Sequence, residues 1–276
     1  MSKLRKALEK AKDARKERSE NPLTFENVAV DASRSRSPSH MEYASTGNEL
    51  GSLTANVQIK RPDSRNLQKH RIISVCRGNT IADRIKILRT QIMHAMNENN
   101  ENTLMIASAK NGEGRTTTAI NLAVALSQQM DRTILLVDAD LRNPSIHTLL
   151  GFDVEQGLAQ YLKGDADLSD IIIDPQIPRL NIISGGAPIE NSSELLDTEP
   201  MKILIRLIKE RYDRLFVIFD SPPLLTSADS LVLARYMDGI IMVVESEKTR
   251  KDEFARAIEL LRERPIIGTV LNKVRD

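Results

Sequence analysis

The 276-residue chain has one cysteine, Cys76, and no tryptophan. A lone thiol excludes a disulfide framework and points to a reducing compartment. No run of 18 or more apolar residues occurs, so the sequence offers no helix that spans a bilayer. Its N-terminus is charged throughout and lacks the apolar stretch of a signal peptide. A soluble, cytoplasmic protein is expected. Net charge is also scarce, at +1, and no nucleic-acid partner is expected. The charge that exists is unevenly placed. Residues 1–75 hold 15 Lys/Arg against 9 Asp/Glu, and the remainder holds 24 against 29.

That asymmetry marks a domain boundary. Leu4, Ala7, Leu8 and Ala11 form a narrow helical stripe within residues 1–20, with no aromatic anchor. It reads as a helix that docks on a partner or rests loosely on an anionic leaflet, or as a solvated, frayed one. Residues 21–75, rich in Ser, Asn, Arg and Pro, read as a flexible linker. The remaining length, 76–276, suits one domain of about 200 residues.

Within that domain, Ser108 to Leu122 reads SAKNGEGRTTTAINL, behind the apolar run Thr103–Ala107. A buried strand, a glycine-rich turn and a helix opening on consecutive threonines form a cradle for a nucleotide triphosphate. Gly112 and Gly114 let backbone N–H groups approach phosphate oxygens, and the helix from Arg115 aims its positive end at them. Thr116 stands where a hydroxyl holds Mg²⁺. Ala109 and Arg115 depart from G-x-x-x-x-G-K-[ST], replacing its first glycine and its lysine. Lys110, five positions before Arg115, has the spacing of the deviant K-G-G-x-G-K loop of the MinD/ParA ATPases, with Asn111 at that loop's first glycine. A glycine-rich turn can also be a plain connector.

Two more apolar, β-branched runs end in carboxylates. Thr133–Val137 leads into Asp138-Ala139-Asp140-Leu141-Arg142, and Leu215–Phe219 into Asp220-Ser221-Pro222-Pro223. Such runs are parallel strands covered on both faces, and ligands bind outside their carboxyl ends. Mg²⁺ takes hard oxygen ligands, few of them from protein, which Thr116 with Asp138 or Asp220 can supply. Any single aspartate here, taken alone, reads first as a helix N-cap or turn residue. Three such features in order, each behind a strand, make caps a poor account of all of them.

The loop, the string Ile134–Gly151 (ILLVDADLRNPSIHTLLG) and Phe216–Pro223 (FVIFDSPP) together resemble the Walker A, A′ and B motifs of the bacterial tyrosine kinases (BY-kinases) of capsule and exopolysaccharide export. The segment Gly186–Leu196 resembles their G-x-x-P-P-N-P-x-E-L-L stretch, with Ile189, Glu190 and Ser192 in place of the prolines. The likeness covers about residues 75 to 276. It implies an α/β fold with a doubly wound, mostly parallel sheet of the P-loop NTPase kind, and ATP with Mg²⁺ as cofactors. It also implies in-line phosphoryl transfer to tyrosine, with Asp138, Asp140 and Asp220 binding metal and accepting the proton and Arg115 stabilising the transferred phosphoryl. Around the nucleotide it sets Lys110, Asn111, Gly112, Glu113, Gly114, Thr116 and Thr117, with Arg142 from A′. A membrane-anchored chain-length or co-polymerase protein is the implied partner, holding the enzyme peripherally at the inner face of the membrane. The competing class is a MinD/ParA-like ATPase switch that phosphorylates nothing.

Asn79–Met96 turns helical, with Ile81, Ile85, Leu88, Ile92 and Met96 on one face. Asp83, Lys86 and Arg89 match the charge order of the family's E-x-x-R-x-x-R ring-assembly element, which implies a homo-oligomeric ring. The strands Gly239–Glu245 and Ile266–Leu271 complete the sheet, with a helix from about Lys251 to Arg264 between them. Asn272 sits where related ATPases read the base with an amide, or is a turn residue. The family's usual C-terminal tyrosine cluster is absent, since the chain stops at Asp276. Of Tyr43, Tyr161, Tyr212 and Tyr236, only Tyr43, in the linker, reads as accessible.

Overall fold

The computed structural model describes residues 57–72, 80–96, 101–128, 132–211 and 215–274. The expected docking helix at 1–20, Cys76, Tyr43 and Tyr212 lie outside them. Eight strands form one sheet: β1 Gln58–Ile59, β2 Thr103–Ser108, β3 Thr133–Asp138, β4 Ile172–Asp174, β5 Leu180–Ile183, β6 Leu215–Asp220, β7 Gly239–Glu245 and β8 Ile266–Asn272. Their spatial order is β1-β4-β5-β3-β6-β2-β7-β8. Every pair is parallel except β4 with β5.

The central strands are apolar along their whole length because both faces are covered. Alternate residues leave opposite faces of a strand. On one side Leu104, Ile106, Ile134, Leu136, Phe216 and Ile218 pack under the helices Thr80–Met96 and Arg115–Ser127, meeting Ile92, Met96, Ile120 and Leu122. On the other side Met105, Ala107, Leu135, Val137, Val217 and Phe219 pack with Leu204, Ile205 and Ile208 of the helix Glu199–Arg211 and with Ala257 of Lys251–Leu260. The α/β doubly wound sheet expected from the apolar runs is the observed one. β3, β6 and β2 are neighbours, so their carboxyl ends bring the phosphate loop, Asp138 and Asp220 to one rim.

Two expectations are corrected. The linker does not extend to residue 75, because 57–72 fold onto the domain. β1 pairs with β4, the helix Ser64–Lys69 starts at Asp63, and Ile72 is fully buried. The Asp63 N–H donates to Leu150 O at 2.8 Å. The polar composition of this stretch concealed two apolar anchors, Leu67 and Ile72, that only the finished core makes use of. The second correction concerns Arg89. It does not join Asp83 and Lys86 on the surface of the helix Thr80–Met96. Asp83 and Lys86 pair with each other at 2.8 Å, whereas Arg89 is buried and donates from Nη1 to Ala125 O at 3.2 Å. Satisfying the last-turn carbonyls of the neighbouring helix is a structural use of that cation.

Candidate functional site

The phosphate loop runs from Ser108 to Gly114 between β2 and the helix Arg115–Ser127. Gly112 and Gly114 both take left-handed backbone angles, φ +84° and +94°, which side-chain-bearing residues adopt at a cost. Space decides the matter at Gly114, where a Cβ would lie 1.9 Å from Asn272 Nδ2. The loop is held from several sides. Asn272 Nδ2 donates to Glu113 O at 2.9 Å, and Lys273 Nζ donates to Gly112 O at 2.6 Å. The buried Glu113 carboxylate accepts the Lys110 N–H at 3.0 Å and the Thr249 hydroxyl. Lys110 reaches out to Glu253 at 2.9 Å. Asn272 therefore braces the loop through its amide N–H, a use that neither sequence reading of it contained.

Arg115 opens the helix and turns inward. Its Nε donates to Asp220 Oδ1 and its Nη2 to Asp140 Oδ2, both at 3.0 Å, and its Nη1 donates to Ser108 Oγ at 3.1 Å. The expected direction, out towards phosphate, is not the one observed. Three buried acceptors at the strand ends offer a planar, five-donor group more than open solvent does.

Asp138 and Asp220 face each other across the β3–β6 register, both fully buried. Asp138 Oδ2 accepts the N–H groups of Ser145 (2.8 Å) and Ile146 (3.0 Å), and Oδ1 accepts that of Asp140 at 3.3 Å. It thus also anchors the start of the short helix Ile146–Leu150. Burial, reinforced by the Asp220 charge, pushes the Asp138 carboxyl up to about 8 against the pull of those N–H groups. Burial raises Asp220 as well, opposed by Arg115 and the Thr116 hydroxyl. Asp140 is raised by burial and held back by Arg115 and the Asn143 N–H.

Asp220 Oδ2 is buried without a hydrogen-bond partner. An orphaned carboxylate oxygen beside a hydroxyl is a fit for a hard divalent cation that draws its other ligands from phosphate and water. Among the described residues no cluster of three or more His, Cys, Asp or Glu could hold a metal. An open cleft of 620 Å³ beside the loop is lined by Arg71, Gly114, Thr117, Asn121, Asn272 and Lys273 among others. Its size suits a small-molecule ligand.

Arg142 leaves the rim on the far side. Its Nε donates to Ser192 Oγ at 2.9 Å and lies 3.5 Å from Asp229 Oδ2, while Ser192 Oγ donates to Asp229. Sequence reasoning gave no role to Ser108, which opens the loop itself, and passed over Thr249, Lys273 and Asp229. None of these last three stands in a motif, and each reaches its partner through tertiary contact alone.

Residues 101–264 match the family described as an AAA domain. The chain is 35% identical over 193 residues to the tyrosine-protein kinase YwqD of Bacillus subtilis, covering 69% of this chain and 80% of that one. The crystal structure of the chimerical protein CapA2B2 superimposes with a TM-score of 0.70 at 27% identity, over 84% of this chain and 100% of the other. The septum site-determining protein MinD of Pyrococcus horikoshii, complexed with Mg-ADP, matches with a TM-score of 0.52 and 29% identity over 62% and 69%. A doubly wound sheet, a phosphate loop braced from β8 and carboxylates at the adjacent strand ends thus accompany sequence identity across most of a known kinase, and the chain belongs to the bacterial tyrosine-protein kinase family.

Proposed function

We propose that the chain is a Mg-ATP-dependent protein-tyrosine kinase of the autokinase type, acting in the regulation of capsule or exopolysaccharide polymerisation and export. The observation that carries this reading is the convergence of the phosphate loop, Asp138, Asp140 and Asp220 on one rim, in a chain 35% identical to YwqD. ATP would lie with its phosphates on the loop N–H groups from Asn111 to Thr117 and its base towards the cleft near Asn272. Thr116 and Asp220 would hold Mg²⁺, which neutralises charge on the phosphates when bound. Asp138 is the group to take the proton of a tyrosine hydroxyl, because its raised pKa makes its ionised form a stronger base than an exposed carboxylate. Arg115 orients Asp140 and Asp220 in the state described. Meeting phosphate would require it to exchange those carboxylates for the ligand.

A membrane-anchored co-polymerase is the proposed partner, with homo-oligomeric assembly and a peripheral position at the inner face of the membrane. Among the described residues no helix is long and apolar enough to cross a bilayer.

The test is incubation of the purified protein with γ-labelled ATP and Mg²⁺, with and without the partner. Label on tyrosine supports the kinase. Release of phosphate with no phosphotyrosine supports a MinD-like switch instead.

A further inference from the structure

Glu113 is a carboxylate within a loop suited to receive anions, and it is almost wholly buried. Burying such a charge is costly unless it is hydrogen-bonded. Its two oxygens are met from different parts of the chain. Oε2 accepts the Lys110 N–H at 3.0 Å, which closes the turn 110–113 on itself. Oε1 accepts the hydroxyl of Thr249, from the turn between β7 and the helix Lys251–Leu260. That hydroxyl is itself fixed. Thr249 Oγ1 accepts the Glu245 N–H at 3.0 Å, and the Thr249 N–H donates to Glu245 O at 3.1 Å.

The loop carbonyls are held as well, Gly112 O by Lys273 Nζ and Glu113 O by Asn272 Nδ2. In a planar trans peptide the carbonyl and the following N–H point opposite ways. The Glu113 and Gly114 N–H groups are therefore turned away from the end of β8. Among the described residues no hydrogen bond engages the N–H of Asn111, Gly112, Glu113 or Gly114. Those four donors are what the loop leaves for phosphate oxygens. Lys110 adds a second link to the helix Lys251–Leu260 through Glu253, but the lysine is half-exposed and a solvent-screened pair contributes little. The buried bond from Thr249 to the Glu113 carboxylate is the stronger link.

We infer that Thr249 is a positioning residue of the nucleotide site. Its hydroxyl fixes the Glu113 carboxylate, and the carboxylate holds the 110–113 turn closed. The N–H groups from Asn111 to Gly114 thus stay open for phosphate before any ligand arrives. Without that hydroxyl, one buried Glu113 oxygen has no donor. The carboxylate then turns to solvent and releases the Lys110 N–H, or takes a loop N–H that phosphate needs. Both outcomes weaken binding. The inference rests on the proposed ATP site but not on transfer to tyrosine.

The experiment is calorimetric titration of the full chain with Mg-ADP, alongside melting temperatures. The proteins are the parent, Thr249→Val, Thr249→Ser, and Glu113→Ala with and without Thr249→Val. Thr249→Val should lower Mg-ADP affinity about tenfold, the span of one hydrogen bond to a charged group. Thr249→Ser should bind within about threefold of the parent, because serine offers the same O–H donor. In the Glu113→Ala background, adding Thr249→Val should change affinity by less than about twofold, since the two residues couple through the carboxylate. An equal drop in that background means that Thr249 acts by another route, and it overturns the inference. So does a Thr249→Val protein that melts lower yet binds Mg-ADP like the parent, which leaves the bond as a structural staple only. Should Glu113→Ala not fold or not bind, Thr249→Ser decides, and an affinity as low as that of Thr249→Val overturns the inference. A parent that binds no Mg-ADP fails the nucleotide reading and the inference with it, whereas a binding parent matched by Thr249→Val fails the inference alone.

Discussion

Arg115 Nε donates to Asp220 Oδ1 at 3.0 Å, with both side chains almost wholly out of solvent. The basic residue of the phosphate loop is thus bound to the carboxylate whose other oxygen has no hydrogen-bond partner. On the proposed reading, Arg115 and Mg²⁺ would compete for one side chain.

Removing Arg115 should therefore cost stability and not only activity. Arg115→Ala leaves Asp140 and Asp220 buried without their counter-charge, a loss of about 3–5 kcal/mol. Arg115→Lys keeps the charge but can no longer span Asp140, Asp220 and Ser108 together. It should melt between the parent and Arg115→Ala, yet turn over Mg-ATP faster because Asp220 is released to the metal. Chemical denaturation and phosphate release read the two effects. Turnover that falls in Arg115→Lys would show that the fork aids catalysis.

Asp138→Asn should abolish Mg-dependent turnover and, in the same protein, change how stability depends on pH. The folded-state carboxyl of Asp138 titrates at about 8, above its usual 3.8, so the folded protein binds a proton that the unfolded chain releases. Stability from this group is full below the ordinary carboxylate value and declines as pH rises, until it levels off above about 8. The asparagine variant should lack that decline and gain on the parent in melting temperature at pH 8 relative to pH 5. Parallel melting profiles would mean that the Asp138 carboxyl is not raised.

The approach of Gly114 to Asn272 gives a third expectation. Gly114→Ala places a methyl 1.9 Å from Asn272 Nδ2 and strains a backbone at φ +94°. Nucleotide binding should be lost. Adding Asn272→Gly removes the clash but not the strain, so titration with Mg-ADP should recover only weak binding. Full recovery in the double variant would show that the clash alone mattered.

Phosphate should map to Tyr43 and not to Tyr161 or Tyr236. Tyr161 is half-buried against the core, and Tyr236 is half-buried with its hydroxyl donating to Asp197 at 3.2 Å. A phosphate at Tyr236 would sit beside that carboxylate and be repelled. Peptide mapping of the labelled protein checks this, and label on Tyr236 would require that the turn after the helix Asp229–Ala234 opens.

The residues themselves determine much of this protein. Continuous apolar runs at 103–107, 133–137 and 215–219 can only be strands buried on both faces, and such strands deliver their following residues to a common rim. The sequence order of Gly112, Gly114, Thr116, Asp138 and Asp220 was therefore enough to place them at neighbouring strand ends on one rim. Local patterns carry that information because each feature lies within a few residues of its own strand end. Only the tertiary structure decided where the long side chains go. Arg89 turns into the neighbouring helix, and Arg115 turns inward onto two strand ends. Arg142 is gripped by Ser192, 50 residues away, and Glu113 by Thr249, 136 residues away. Burial of a guanidinium or carboxylate depends on acceptors and donors supplied by distant segments, and no spacing within a single stretch of chain encodes which of them will be within 3 Å.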